Sequence, residues 1–259
     1  GYFGAPFEER WGGSAMGELG FAIVQEELAR GHASTAVLVG ASSGLAARMV
    51  ADFGSDEQKE RFLRPMATGE AIGAFALTEA GAGSDVPAMT TTAVADGDDF
   101  VLNGQKAFIS NGQQARFLVT FAKTDPEQRG RGISLFVVEA GTPGLEVIRL
   151  EEKMGLHASD TAQLAFDDVR VPREQLVGQE NQGLSMALST INQSRVGISS
   201  MSLGMAKEGL ALGWQYAHER ALGRGTVADM QVTQHALADM QIAIYAAESM
   251  VYRTAMMAD

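Results

Sequence analysis

The chain has 259 residues, 46% of them hydrophobic, enough to bury a sizeable core in one large domain or in two to three small ones. Its formal net charge of −12 argues against nonspecific affinity for nucleic acid or an anionic membrane, because both attract basic surfaces. The absence of Cys excludes disulfides, thiolate metal sites and a cysteine nucleophile together, and His32, His157, His218 and His235 have no metal-ligand spacing, so no metal is expected. No stretch reaches the roughly 18 to 20 uncharged residues of a spanning helix, and Gly1-Tyr2-Phe3-Gly4 has neither the basic flank nor the apolar region of a signal peptide. A soluble, intracellular protein is expected, and Gly1 in place of Met points to a fragment or a processed chain.

In chain order, residues 1–71 read as helical. One helix runs through Phe21 to Leu28 and another from Thr35 to Phe53. A third begins at Ser55, where Ser55-Asp56-Glu57-Gln58 forms a capping box ahead of Phe62-Leu63. Between 72 and 178 the pattern changes to short apolar or alternating runs at 72–77, 89–95, 99–103, 106–110, 117–122, 133–139, 145–150 and 161–169. Asp96-Gly97 and Asn103-Gly104 read as tight turns, and Asn111-Gly112 as another. Such spacing predicts a β-sandwich or barrel. From 179 the period is again helical, with one long segment to about 222 and a second from about 228 to 258. Leu237, Met240, Ile244, Ala247, Val251 and Thr254 share one face of the second. Two such helices leave apolar stripes uncovered, so the chain is expected to end within a bundle.

The chemically richest stretch is Ala76-Leu77-Thr78-Glu79-Ala80-Gly81-Ala82-Gly83-Ser84-Asp85, an apolar strand running into a glycine-rich turn. Gly81 and Gly83 let backbone N–H groups approach a phosphate closely, while Thr78 and Ser84 add side-chain donors. Glu79 and Asp85 belong to this turn, and Glu79 reads as a holder of loop backbone rather than as an acid–base group. The run Asp96-Gly97-Asp98-Asp99 reads as a solvated turn, and the Met residues of the last two helices as packing.

Together with Leu102-Asn103-Gly104-Gln105-Lys106-Ala107-Phe108-Ile109-Ser110-Asn111-Gly112, this stretch resembles the signature of the acyl-CoA dehydrogenases. Lys153-Met154-Gly155 with Ser159-Asp160-Thr161, Phe166 to Pro172, and Glu219-Arg220 extend the resemblance over the whole chain. It implies an α+β multidomain fold: an N-terminal helical domain (1–71), a β-barrel or sandwich domain carrying the flavin loop (72–178) and a C-terminal helical bundle (179–259). It also implies FAD as cofactor and α,β-dehydrogenation of an acyl-CoA, in which a carboxylate base takes the α-proton and flavin N5 takes the β-hydride. The implied partners are an electron-transferring flavoprotein and further copies of the chain in a homotetramer. The implied compartment is the bacterial cytoplasm or, as the alternative, the mitochondrial matrix. Same-fold oxidases or monooxygenases, or a non-catalytic subunit of a hetero-oligomer, are the alternative functions.

By the same resemblance, Thr78 bonds the flavin ring, and Ser84 the pyrophosphate or CoA. Phe108 stands where the family has Trp beside the isoalloxazine, and Ser110 where it has Thr near N5; Phe75, Leu77, Gly83 and Ile109 complete the flavin segments. Arg220 corresponds to an arginine that reaches a neighbouring subunit's FAD pyrophosphate, and Gln231 to a glutamine at the same contact, although Ala221-Leu222-Gly223 departs from the family's pattern there. Asn192, Arg195 and Thr124 correspond to CoA-facing positions, with a loop cap as the alternative for Thr124. Some members place the base directly before the arginine that corresponds to Arg195. Here that residue is Ser194, which cannot serve unaided, so the base is expected C-terminal to Asp259.

Overall fold

The computed structural model describes residues 1–259. Its first part is helical: α1 (Gly17–Val39), a π-helical stretch (Gly40–Ala47), α2 (Arg48–Phe53), α3 (Asp56–Gln58), a second π-helical stretch (Lys59–Leu63) and α4 (Arg64–Thr68). His32 leaves the helical conformation (φ −160°, ψ 99°) and divides α1 at the break between the two expected helices. The Ser55 capping box forms with both of its bonds, Gln58 N–H to Ser55 Oγ at 3.2 Å and Ser55 N–H to Gln58 Oε1 at 3.0 Å. Contrary to the sequence expectation, Gly17–Phe53 holds an 18-residue window of mean hydropathy 1.3, long and apolar enough to cross a membrane by length and composition. More than half of that window, 56%, is buried within the protein, as in a core helix.

Seven strands follow: β1 (Gly73–Ala76), β2 (Thr92–Asp96), β3 (Asp99–Ser110), β4 (Phe117–Lys123), β5 (Ile133–Glu139), β6 (Leu145–Leu150) and β7 (Thr161–Pro172). They make one curled sheet in the order β1-β4-β2-β3-β7-β6, with β5 on the free side of β4. The unbroken apolar runs of β4 and β5 have a packing cause, because both faces are buried. Phe117, Val119, Phe121, Leu135 and Val137 pack on the helices through Phe62, Leu63 and Met66. Leu118, Ala122, Phe136 and Val138 face the inside of the sheet against Phe100, Leu102, Leu164 and Phe166. T-shaped pairs Phe62–Phe117 and Phe100–Phe136, at 5.2 and 5.0 Å between ring centres, join the two sides of the sheet to its two cores.

One expectation about the sheet is corrected. Asp96-Gly97 is the β2–β3 hairpin turn, but Asn103-Gly104 is no turn: it is a register break inside β3, where the strand continues to Ser110. Asn103 instead bonds Asp168 across the break, through Nδ2 to Oδ1 at 3.0 Å. In α6 (Gln231–Ala258) the expected face is present: Leu237 and Ile244 are buried toward α1 and α5 (Gly183–Glu219), Ala247, Val251 and Thr254 line a groove with Ile244 against α5, and Met240 is left exposed. A short hairpin, Ala221–Leu222 with Gly225–Thr226, leads from α5 to α6.

Gly104 has φ +149°, and a Cβ there would stand 2.7 Å from Thr91 Cα and 2.5 Å from Thr91 Oγ1. Gly104→Ala is expected to cost about 1–3 kcal/mol through strain and overpacking, read as a lower denaturant midpoint at unchanged m-value. An unchanged midpoint would mean that Thr91 yields freely.

Candidate active site

The candidate site is built where the segment after β1 runs beside β3. The Ala107 amide donates to the Thr78 carbonyl at 2.9 Å, and Lys106 Nζ to the Leu77 carbonyl at 3.1 Å. Glu79 then closes the glycine-rich turn through reciprocal backbone bonds with Ala82, at 3.2 and 3.1 Å. Its carboxylate is buried and accepts from five donors: Thr90 N–H (2.6 Å) and Oγ1 (2.8 Å), Thr91 N–H (3.0 Å) and Oγ1 (2.5 Å), and Lys106 Nζ (2.9 Å). Burial alone would raise this carboxyl; the Lys106 ammonium and the threonine donors outweigh it and hold the group down at about 2. Burial lowers the Lys106 ammonium to about 8 against the pull of Glu79, so both groups are charged at neutral pH.

Immediately after Lys106 the ladder with β7 slips. Lys106 pairs with Leu164 and Ile109 with Ala162, so Ala107 and Phe108 share one partner position, a β-bulge. Phe108 sits at φ +59°, a conformation bulky residues seldom adopt, and its ring is 59% exposed. Ile109 turns into the core, and Ser110 follows half-exposed on the same side as Phe108. No hydrogen bond within the chain engages the hydroxyls of Thr78, Ser84 or Ser110, or the N–H groups of Gly83 and Ser84. A Cβ at Gly81 or Gly83 would meet nothing within 4 Å, so the tip of the turn is open.

Ser110 also borders a cavity of about 140 Å³ between α1, the first π-helical stretch and α5. Ser194 lines the same cavity from α5, its hydroxyl donating to the Ile191 carbonyl at 2.9 Å. Phe21, Leu45 and Met201 make an apolar part of the wall. Glu18 is the one carboxylate on it, and its side chain is hydrogen-bonded to Arg48. Burial raises the Glu18 carboxyl, against the opposing effect of Arg48.

The structure thus brings Thr78, Phe108 and Ser110 beside one another, with Gly83 and Ser84 at the tip of the adjoining turn. Side chains of Phe75, Leu77 and Ile109 serve packing instead: Leu77 and Ile109 are buried, and Phe75 sits edge-on to Phe121 at 5.0 Å. Thr124 is engaged internally, with Oγ1 2.7 Å from Asn181 Oδ1 and 2.6 Å from Ser134 Oγ, the arrangement of a loop cap. Asn192 Oδ1 accepts from Arg195 at 2.8 Å, and both line a groove between α5 and α6 rather than the Ser110 cavity. Arg220 and Gln231 lie exposed at the α5–α6 connection. Lys106, Thr90, Thr91, Glu18 and Arg48 were not singled out by the sequence pattern. Strict alternation puts Lys106 on the outward face with Phe108 and Ser110, and the bulge between them reverses its direction.

Family models match nearly the whole chain: acyl-CoA dehydrogenase N-terminal domain over residues 1–70, middle domain over 74–169 and C-terminal domain over 181–259. The human mitochondrial short-chain specific acyl-CoA dehydrogenase is 41% identical over 97% of this chain, which spans 61% of that relative's length. Butyryl-CoA dehydrogenase from Megasphaera elsdenii superposes with a TM-score of 0.96 at 39% identity, covering 98% of this chain and 68% of that one. A chain from the structure of the electron transferring flavoprotein of Acidaminococcus fermentans gives a TM-score of 0.97 at 41% identity, covering 99% and 67%. On these matches and the three-part architecture that carries them, the chain belongs to the acyl-CoA dehydrogenase family.

Proposed function

We propose that the protein dehydrogenates a short acyl-CoA thioester at Cα–Cβ, using FAD. The observation that carries this reading is the pairing of unengaged donors with a partly open cavity: Thr78, Phe108 and Ser110 lie on adjoining segments, and Ser110 opens onto the cavity that Ser194 borders. The residues fit FAD. The isoalloxazine would lie against the exposed Phe108 ring with Thr78 and Ser110 as donors, and the pyrophosphate would take the free N–H groups of Gly83 and Ser84 with the Ser84 hydroxyl. When bound, FAD supplies the hydride acceptor; the chain orients the substrate and excludes water from it. A space of about 150 Å³ holds a molecule the size of benzene, so a cavity of about 140 Å³ suits an acyl group of about four to six carbons. Relatives named short-chain specific support the same length.

In this reading the hydrogen-bonded Asn192–Arg195 pair meets CoA, and Thr124 stands near it without a free hydroxyl proton. Arg220 and Gln231 reach the FAD of a second copy in a cytoplasmic homotetramer, and an electron-transferring flavoprotein reoxidises the enzyme. The base comes from outside the chain. Glu18 is held as the counter-ion of Arg48, and Ser194 carries no carboxylate.

Anaerobic titration with a panel of acyl-CoAs is expected to bleach the oxidised flavin band, most completely with acyl groups of about four to six carbons. No bleaching by any member, branched and bulky thioesters included, would refute the dehydrogenase reading. Glu18→Gln is expected to change the rate of flavin reduction by less than about tenfold. A fall of several orders of magnitude with substrate binding retained would make Glu18 the base. In a variant whose own base is replaced by Gln, adding Ser194→Glu is expected to restore part of the reduction rate, with about a hundredfold deficit for each ångström of misplacement. No recovery with FAD and substrate bound would show that the Ser194 side chain does not face the thioester.

A further inference from the structure

Lys106 is the most deeply buried charge in the chain, with a side chain of 0% exposure, and the reaction proposed above does not use it. Its Nζ holds the Leu77 carbonyl and Glu79 Oε1, on the segment that carries Thr78. Its own backbone leads directly into the bulge that displays Phe108. The carboxylate it meets also gathers Thr90 and Thr91, and Thr91 in turn packs on Gly104 of the same strand. One ion pair therefore joins the start of the glycine-rich turn, the segment entering β2 and the middle of β3.

We propose that the Glu79–Lys106 pair is the positioning device of the FAD site, clamping Leu77-Thr78 to the bulge at Ala107-Phe108 so that the Thr78 hydroxyl and the Phe108 ring meet the isoalloxazine as one rigid platform. The inference rests on the FAD reading above. Two features set it apart from a general contribution to stability. Replacing a buried ion pair by apolar residues of similar volume is often neutral or stabilising, so a variant without the charges can separate a geometric role from a contribution to stability. Phe108 at φ +59° also needs neighbours that hold it, and the nearest fixed points are the Ala107 amide on Thr78 and Lys106 on Leu77.

The test compares the parent protein with Glu79→Gln/Lys106→Met, which removes both charges while keeping similar volumes, and with the milder Thr91→Val, which leaves both charges in place. Thermal midpoint, FAD dissociation constant and the reduction potential of the bound flavin are measured for each. The double variant is expected to stay folded with a lowered midpoint, because an amide nitrogen cannot accept from the threonine donors, and to bind FAD at least tenfold more weakly with a shifted flavin potential. Thr91→Val is expected to weaken FAD binding by a smaller factor of about two to five. Unchanged FAD affinity and potential in a folded double variant would overturn the proposal and leave the pair a packing element. Should the double variant fail to fold, Thr91→Val decides: full FAD affinity in that variant overturns the proposal as well. A parent protein that binds no FAD at all would refute the functional reading instead, so the two failures are distinguishable.

Discussion

A carboxylate and an ammonium with almost no access to water fix the geometry of the central domain. Leaving either charge without a partner inside the fold costs several kcal/mol, so every group around Glu79 and Lys106 is constrained to supply a bond. Those groups come from three stretches far apart in sequence, 77–79, 90–91 and 104–106, and the pair holds them at hydrogen-bonding distance. The contrast with the tip of the turn is sharp. Gly81, Gly83 and Ser84 are exposed, and no backbone bond within the chain engages the N–H groups of Gly83 and Ser84. A rigid base under an open rim of donors is the arrangement that binding an anion requires, because the donors are already in place when the ligand arrives.

Close helix packing gives the cavity its other walls. At Gly204 of α5 a Cβ would stand 2.1 Å from the Glu26 carbonyl, so α1 and α5 approach to a distance only glycine permits. Beside this contact Lys207 binds Glu26 and Glu248, and Tyr252 donates to Glu26 at 2.7 Å, which ties α1, α5 and α6 at one point. Burial, together with the bond to Glu26, pushes the Tyr252 hydroxyl up to about 12, so it remains a donor across the physiological range. The π-helical stretch Gly40–Ala47 widens the facing wall, with Gly40, Ala41, Gly44 and Leu45 bordering the space next to Ser110.

Much of this was legible in the sequence because local rules and global packing agree. The Ser55 box, the break near His32, the Asp96-Gly97 hairpin and the apolar runs of β4 and β5 all carry their own signals. Legibility failed where tertiary contact overrides a local pattern. Asn103-Gly104 has the composition of a turn, but Gly104 is required by the proximity of Thr91, and Asn103 by Asp168. The shared face of α6 was legible from its period, but not its depth: Leu237 and Ile244 are buried while Met240 is exposed. Thr78, Ser84, Phe108 and Ser110 were proposed from their motif, and the fold places them on the glycine-rich turn and the adjoining end of β3. The Glu18–Arg48 pair, 30 residues apart and without periodicity, emerges only when α1 and α2 are packed together.

That pair sets the electrostatics around Ser194. Glu18 already lies on the wall of a small cavity where burial raises its carboxyl and Arg48 alone compensates it closely. A second carboxylate on the same wall, as in Ser194→Glu, would meet Glu18 as a like charge, which raises both groups and makes the recovery expected of that variant grow with pH. The native hydroxyl adds no charge, and its bond to the Ile191 carbonyl satisfies its proton. The cavity keeps a single compensated ion pair and an apolar wall of Phe21, Leu45 and Met201. The one carboxylate of the wall is thus tied to Arg48, and any base introduced beside it titrates under the influence of that pair.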